Sequence, residues 1–512
     1  MPGYDVAIVG GGMAGMVCAN YLTRMGKRVL VAEQSYHTGG NMTGFHRRGF
    51  YFDGGDQSFE SLGVVFPILE ELGVYESRDW TKVRYRMISK DFDFFLDSLD
   101  NVEEALLEAF PDETGLRTLF AEVRRVSRFL DRHCDPWSFP LIQDFHLGRL
   151  AGLIRWLPSL RKWFKYTYRV KACAVIRDPA LRNWLAGIGY YHMPYLFFAG
   201  FWHIWIKDYW YPRGGMQSFH DELADLLGAA GGELRVNTMI DRIDVRDGRA
   251  RGIRTRQGEL IEADRLVYTG DYKTLVGGLV DAECFPGRFV EEIHSARLTE
   301  EILNVYLGLD RSVEELQDRL QAHHVFYFPN YDVLFPDARS DRDIHRRMWV
   351  AMNFFGDRNP GFAPEGKSTV VLQTYSSFDW ERMWRNLGDT DDRTEEYRRF
   401  KLEIGRHLVE LAENVLPGLD DSTLFYDVGT PLSIRRFSRN TRGSTGGWCY
   451  DDRISPVFDF RRGLNLFKTP VRNLWAAGHY TLWPGGVISA ALSGKIVANL
   501  VAGRFPLAAL ED

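Results

Sequence analysis

The stretch Tyr4-Asp5-Val6-Ala7-Ile8-Val9-Gly10-Gly11-Gly12-Met13-Ala14-Gly15 decides the fold. Val6 to Val9 is an unbroken apolar run, the pattern of a parallel strand buried on both faces. It leads into G-x-G-x-x-G, with Gly10, Gly12 and Gly15 at the three glycine positions. A helical segment from Met16 to Met25 follows, stopped by Gly26, and a second apolar strand from Arg28 to Ala32 ends in Glu33. Each feature has a physical purpose. Gly10 permits the tight turn, Gly12 lets backbone approach a pyrophosphate, and Gly15 lets the helix lie close to the strand. The helix start offers N–H groups and a positive dipole end to phosphates. Glu33, 18 residues after Gly15, stands where a carboxylate accepts hydrogen bonds from an adenosine ribose. Strand, turn, helix, strand and acid in this order predict a Rossmann dinucleotide unit rather than a merely structural glycine turn.

Composition narrows the rest. A chain of 512 residues allows roughly two to four domains. A net charge of −6 argues against a general nucleic-acid binder. The five cysteines (Cys18, Cys134, Cys173, Cys284 and Cys449) are scattered and contain no C-x-x-C, which predicts neither a disulfide framework nor a zinc site. His192 and the His323-His324 pair lack metal-ligand spacing, so they read as structural and no metal is expected. The first strand begins at Tyr4, which leaves no room ahead of it for a targeting peptide, so a cytoplasmic location is expected.

After Glu33 come two further glycine pairs, Gly39-Gly40-Asn41 and Asp53-Gly54-Gly55. By composition they could be simple β-turns. Their position directly after a Rossmann strand favours backbone drawn up against a cofactor longer than a mononucleotide. The spacing Glu33…Gly39-Gly40…Gly49-Phe50…Asp53-Gly54 resembles the FAD-binding opening of the flavin amine-oxidase superfamily. It is most similar to the branch of phytoene desaturases, carotenoid isomerases and retinol saturases. Tyr211-Pro212-Arg213-Gly214-Gly215-Met216 before a helix is a mark of the same branch, as is the closing run Ala477-Gly478-His479…Pro484-Gly485-Gly486-Val487.

The resemblance implies an α/β fold: a Rossmann-type (GR2-like) FAD-binding domain with a discontinuous α+β substrate domain and a helical region expected to associate with membrane. Residues 1–75, 206–290 and 425–512 are expected to form the FAD domain, 76–205 the helical region, and 291–424 a substrate-domain sheet and helix. The cofactor implied is FAD. Gly10, Gly12, Gly15, Glu33, Gly39, Gly40, Asn41, Gly54, Gly55, Ile240, Gly478, His479, Gly485, Gly486 and Val487 are the residues expected to hold it. In relatives the position of Ile240 contacts adenine through its backbone. The start of the helix at Gly485 to Val487 would direct N–H groups at the flavin pyrimidine. Two departures stand out: His479 replaces the usual ribityl-binding acid, and Asn41 replaces a frequent basic residue. By implied nearness to the flavin, His203, Arg436 and His479 are the candidate catalytic side chains.

One segment reads as a surface. From Phe145 to Arg177 there is no Asp or Glu, while Arg149, Arg155, Arg161, Lys162, Lys165, Arg169, Lys171 and Arg177 alternate with Trp, Leu and Phe. That is the composition of helices lying in a lipid interface, and also of an ordinary solvated basic face. Asn183 to Ile206 carries no formal charge, but its glycines, Pro194 and His203 argue against a spanning helix. It is expected to line an apolar cavity, dip into the interface or pack as core. We therefore expect a membrane surface to be contacted through residues 145–206, and the protein to be peripherally membrane-associated.

With one G-x-G-x-x-G there is no second domain for a nicotinamide cofactor. The leading reading is an FAD-dependent oxidoreductase acting on a long apolar isoprenoid or carotenoid-like polyene by hydride transfer with flavin N5, of desaturase or isomerase type. A retinol-saturase-like reductase runs the hydride step the other way. The alternatives are an amine-oxidase or porphyrinogen-oxidase-like enzyme with a compact substrate, and a non-catalytic prenyl-lipid escort. The pyrophosphate turn argues against the last.

Overall fold

The structure is a computed structural model that describes residues 3–55, 57–77, 79–134, 136, 154–165, 167–190, 193–331, 341–379, 381–388, 391–450, 466–482 and 486–510. Gly485, His192 and residues 145–153 of the basic segment lie outside the described residues.

Two seven-stranded sheets organise the chain. The first is built on strand β1 (Tyr4–Val9), helix α1 (Met13–Arg24) and strand β2 (Val29–Ala32). β1 lies between β2 and the strand Leu260–Tyr268, parallel to both. Val6, Ala7 and Ile8 have no exposed surface, as their apolar run requires. β2 is flanked on its far side by Glu233–Arg235, also parallel. The strand Leu260–Tyr268 changes partners along its length. Its first half continues an antiparallel meander with Ile240–Arg246 and Arg249–Thr255. Its second half pairs in parallel with Leu474–Ala476, which brings the closing segment of the chain back beside the first. The meander turns at Asp247-Gly248, with φ 52° and 67°, the two left-handed residues that a tight hairpin needs.

The C-terminal helix (Gly486–Ala502) lies along α1. A Cβ added at Gly494 would come within 2.6 Å of the Ala14 carbonyl, so only glycine allows this approach. Lower down, Lys495 has no exposed side-chain surface and its Nζ stands 2.5 Å from Glu71 Oε1. The Tyr21 hydroxyl donates to Glu71 Oε2 at 2.6 Å.

The second sheet runs in the order Thr423–Gly429, Glu301–Leu309, Ser368–Ser376, Val350–Asn353, His324–Phe328, Tyr85–Ser89, Asp93–Phe95. The last two strands come from a region whose sequence reads mainly as helix, and Tyr85–Ser89 joins by parallel pairing with His324–Phe328. A long helix, Glu395–Ala412, capped by the Thr394 side chain, covers one face.

The helical layer contains Gly115–His133, Leu157–Lys165, Pro179–Ala186 and Tyr195–Lys207. Most of Tyr195–Lys207 is buried, including Phe198, Trp202, His203 and Trp205. Of the roles open to the uncharged stretch, this helix takes that of packed core. Among the described residues no helix is long and apolar enough to cross a membrane.

Candidate flavin site

The glycine turn is shaped by contacts that exclude side chains. Gly10 has φ +106°, and a Cβ at Gly15 would stand 2.0 Å from the Gly10 carbonyl oxygen. Thr269, one residue past the strand Leu260–Tyr268, seals the turn: its Oγ1 lies 3.0 Å from the carbonyls of both Val9 and Gly10. Helix α1 begins at Gly12 with no side-chain cap and no acid in its first turn. Its leading N–H groups and the positive end of its dipole are therefore available to an anion.

Facing this turn is the second glycine pair. The Gly39 N–H donates to the Gly11 carbonyl at 2.9 Å. Gly39 and Gly40 have φ of 126° and 60°, and a Cβ on Gly40 would lie 3.3 Å from Gly12 Cα. The third pair packs underneath. A Cβ on Gly55 would be 2.3 Å from the Asn41 carbonyl, and the Gly54 N–H donates to the Thr43 carbonyl at 2.6 Å. The Gly54 carbonyl accepts the Tyr306 hydroxyl at 2.6 Å, which ties this cradle to the strand Glu301–Leu309 of the second sheet. The Gly54-Gly55 pair thus joins the segment Asn41–Thr43 to the second sheet and is more than a surface turn.

Glu33 ends β2 with its carboxylate turned into the turn: Oε2 accepts the Gly11 N–H at 2.6 Å and Oε1 the Ser35 N–H at 2.8 Å. Burial raises its pKa while the two N–H donors hold it down. Each oxygen keeps lone-pair capacity for a further donor such as a ribose hydroxyl. Ile240 is buried at the start of its strand, two residues after the Thr238 N–H, which donates to the Glu33 carbonyl at 2.7 Å. Gly478 (φ +105°) donates its N–H to Ser493 Oγ at 2.8 Å, and Gly486 (φ +75°) opens the C-terminal helix with Val487 buried behind it.

The three candidate catalytic residues stand in different places. His203 is core, its Nδ1 2.8 Å from Ser127 Oγ on the neighbouring helix. Burial pushes its pKa down to about 4. Arg436 is half-exposed on the helix Pro431–Ser438, with Nε 3.9 Å from Asp391. His479 follows Gly478, its ring against that of Tyr480, and burial takes its pKa to about 4, which leaves a neutral imidazole at pH 7. Among the described residues these three share no hydrogen bond, ion pair or ring contact. His324 is a buried neutral side chain, between Ser58 Oγ at 2.8 Å and Asn353.

Sequence reading passes over the anchoring role of Asp53. Its carboxylate is fully buried and accepts the Tyr51 hydroxyl at 2.7 Å, the Tyr211 hydroxyl, and the Met216 N–H at 3.0 Å. Burial raises its pKa to about 6 against the pull of these donors. The Tyr211-Pro212-x-Gly214-Gly215-Met216 motif is therefore the partner of Asp53, locking the strand Phe50–Asp53 to the helix that begins at Gly215. The signal was present in both motifs, but nothing local in the chain couples them across 158 residues.

Residues 13–502 match the family of flavin-containing amine oxidoreductases, and the chain belongs to that family. Among curated proteins it is similar to an all-trans-retinol 13,14-reductase from Danio rerio (23% identity, covering 97% of this chain and 86% of that protein). It is likewise similar to prolycopene isomerase 1, chloroplastic, from an Oncidium hybrid cultivar (24%; 98% and 84%), and to a 4,4'-diaponeurosporene oxygenase from Staphylococcus aureus strain MW2 (22%; 98% and 98%). Among solved structures, a putrescine oxidase redesigned in its cofactor binding shares the fold with a TM-score of 0.62 at 17% identity, covering 98% of this chain and 99% of that one. The glycine cradle, the uncapped start of α1 and Glu33 fit the dinucleotide this family carries, and the cofactor is FAD.

Replacing Glu33 with alanine removes the acceptor expected for the ribose and leaves the Gly11 and Ser35 N–H groups without their carboxylate. Hydrogen bonds to charged groups contribute about 1.5–3 kcal/mol each, so flavin binding should weaken more than tenfold. Flavin absorbance per mole of purified protein measures this. Wild-type flavin content in the variant would remove Glu33 from the site.

Proposed function

We propose that this protein is an FAD-dependent oxidoreductase of desaturase or isomerase type acting on a long apolar isoprenoid or carotenoid-like polyene. The observation that carries the reading is that full-length relatives named for retinol and carotenoid chemistry coincide with an aromatic wall inside the molecule. Phe164 contacts Phe197, Phe197 contacts Tyr450, and Tyr450 contacts Tyr190, with ring centroids 5.4–5.9 Å apart. From Trp205 on the helix Tyr195–Lys207 the series continues to Phe326, Trp349 and Tyr375 at the second sheet, and the Tyr375 hydroxyl donates to the Gly189 carbonyl at 3.0 Å. A conjugated chain packs well on aromatic faces, which offer large apolar area without hydrogen-bond demands. When bound, FAD supplies hydride exchange at its N5. The protein holds the dinucleotide by its glycine turns, keeps water from the apolar wall and orients the substrate.

The reading extends to membrane contact. The aromatic series begins at Phe164 in the helix Leu157–Lys165, where Arg161, Lys162 and Lys165 are exposed. Ile154, Leu157 and Val170 are also exposed, at 58%, 50% and 56%. Exposed apolar side chains among cations suit the interface of an anionic bilayer. Near such a surface each cation contributes about 1 kcal/mol, so changing Arg161, Lys162 and Lys165 to Glu should weaken binding to anionic liposomes more than a hundredfold in a sedimentation assay. Unchanged sedimentation would sink membrane contact while leaving the flavin chemistry standing.

Anaerobic mixing of holoprotein with phytoene or poly-cis-lycopene in liposomes tests the main reading. Flavin bleaching with a red-shifted polyene identifies a desaturase. Cis–trans change only after flavin reduction identifies an isomerase. A flavin that responds to no polyene transfers the case to a compact substrate.

A further inference from the structure

We propose that Arg439 holds the pyrophosphate of the dinucleotide, supplying the positive charge that Asn41 leaves out. The inference rests on the FAD reading above. A pyrophosphate brings two ionised phosphates to the cradle, and the segments that form it (Gly10–Gly15, Gly39–Thr43 and Gly54-Gly55) contain no lysine or arginine. The positive end of a helix dipole amounts to about half a charge, and the nearby Glu33 is an acid. Any full positive charge at this place therefore comes from another part of the chain.

The helix Pro431–Ser438 brings one. It packs on the turn Gly40–Met42, which carries Asn41 and whose Gly40 faces Gly12. Its C-terminal end is tied to the residue after Glu33. Gln34 Nε2 donates to the Phe437 carbonyl at 2.8 Å, and Arg439 Nε donates to Gln34 Oε1 at 3.3 Å. The Gln34 amide thereby sets the direction of the guanidinium. Among the described residues neither Nη group of Arg439 has a hydrogen-bond partner, and Arg439 forms no ion pair. By contrast, Arg436 and Arg442 in the same segment face Asp391 at 3.9 Å and Glu301 at 3.0 Å. A half-buried guanidinium with both Nη groups open presents the fork that phosphate oxygens accept.

Two further observations point to a ligand at this edge. Arg439 closes the helix with φ 62°, its N–H donating to the Arg435 carbonyl at 2.9 Å. Glycine is the usual residue in that left-handed position, so a long side chain is kept there against local preference. His37, in the loop between Glu33 and Gly39, buries Nδ1 with no hydrogen-bond partner among the described residues. It lies close enough to Glu33 to act on its carboxylate. A buried ring nitrogen left in this way is satisfied once a polar ligand meets it.

The test is release of FAD from purified holoprotein on serial dilution, read by the rise in flavin fluorescence. Wild type is compared with Arg439→Gly, Arg439→Gln, and Arg439→Gly combined with Asn41→Arg. Glycine suits the left-handed position, so Arg439→Gly keeps the helix end and removes only the side chain. We expect its dissociation constant for FAD to rise roughly tenfold or more, with an unchanged far-UV circular dichroism spectrum. Added salt should weaken wild-type binding more steeply than binding by this variant, and Asn41→Arg should recover part of the loss. A dissociation constant equal to that of wild type in Arg439→Gly overturns the proposal and leaves the FAD reading intact. A loss with wild-type salt dependence and no recovery from Asn41→Arg also overturns it, since a merely structural role moves neither; either response supports it. Should Arg439→Gly misfold, Arg439→Gln decides by the same criteria. A wild-type protein that takes up no flavin overturns the FAD reading, and this one with it.

Discussion

Replacing Glu71 with alanine lowers the unfolding free energy by about 3–5 kcal/mol, the cost of stranding a buried charge. Lys495 has no exposed side-chain surface, and Glu71 is 15% exposed. Burial already lowers the Lys495 pKa, and the Glu71 carboxylate offsets that effect. Without Glu71 the ammonium has lost its counter-charge, and the Tyr21 hydroxyl loses its acceptor. The reciprocal change is milder. In Lys495→Met the carboxylate retains the Tyr21 hydroxyl at 2.6 Å and the Leu510 N–H at 3.3 Å, together with some contact with solvent. Urea unfolding midpoints of the two variants should therefore differ, with Glu71→Ala the lower. Equal losses would mean that the pair acts by Coulomb attraction alone and that the accessory donors count for nothing.

Acidification from pH 7 to pH 5 destabilises the fold by several kcal/mol. His203, His324 and His345 are buried and His479 is partly buried, and desolvation takes their pKa values to about 4, 3, 3 and 4 from an ordinary 6.5. Between those values and 6.5 the unfolded chain binds protons that the folded chain refuses, so stability rises with pH in that window and falls on acidification. At pH 5 each histidine costs about 2 kcal/mol relative to pH 7. Asp53 works the other way. Its folded pKa of about 6 exceeds the ordinary 3.8, so the folded state gains a proton on acidification and recovers about 1 kcal/mol. Thermal unfolding between pH 5 and 7 measures the net effect. His345 sits in the second core, with Nε2 3.2 Å from Ser376 Oγ, and His345→Leu should remove about a quarter of the pH dependence. A melting temperature that is flat over this range would contradict the buried, neutral state of these rings.

The Rossmann unit was legible because its determinants are local. The run Val6–Val9, the spacing of Gly10, Gly12 and Gly15, and the acid at Glu33 each follow from what a strand, a tight turn and a helix start demand within thirty residues. The same holds for the hairpin turn at Asp247-Gly248, with φ of 52° and 67°. Helix periodicity also marks Phe66 to Leu72, Glu103 to Phe110 and Leu116 to Leu130, which fall on the helices Val65–Glu71, Leu99–Ala109 and Gly115–His133, but says nothing of what they pack against. The strand Tyr85–Ser89 was obscure because its sheet partner lies more than two hundred residues away, and a short strand takes its stability from that partner. The meaning of Asn183–Ile206 was likewise open. An apolar aromatic helix has the same composition in a core, a cavity wall or a lipid interface, and only the neighbouring helix Gly115–His133 settles Tyr195–Lys207 as core.

The candidate site divides along the same line. By itself the sequence determined the strand, glycine turn and uncapped helix start of the Rossmann unit, since these depend on backbone shape over one strand, turn and helix. The tertiary structure alone decided the rest: that Gly40 faces Gly12, that Asp53 is clamped by Tyr211 and Met216, that His203 and Arg436 stand apart, and that Arg439 is held on Gln34. Those relations join residues far apart in the chain, and no local energetic preference encodes them. They exist only once burial of the two sheets and the helical layer has fixed which surfaces meet.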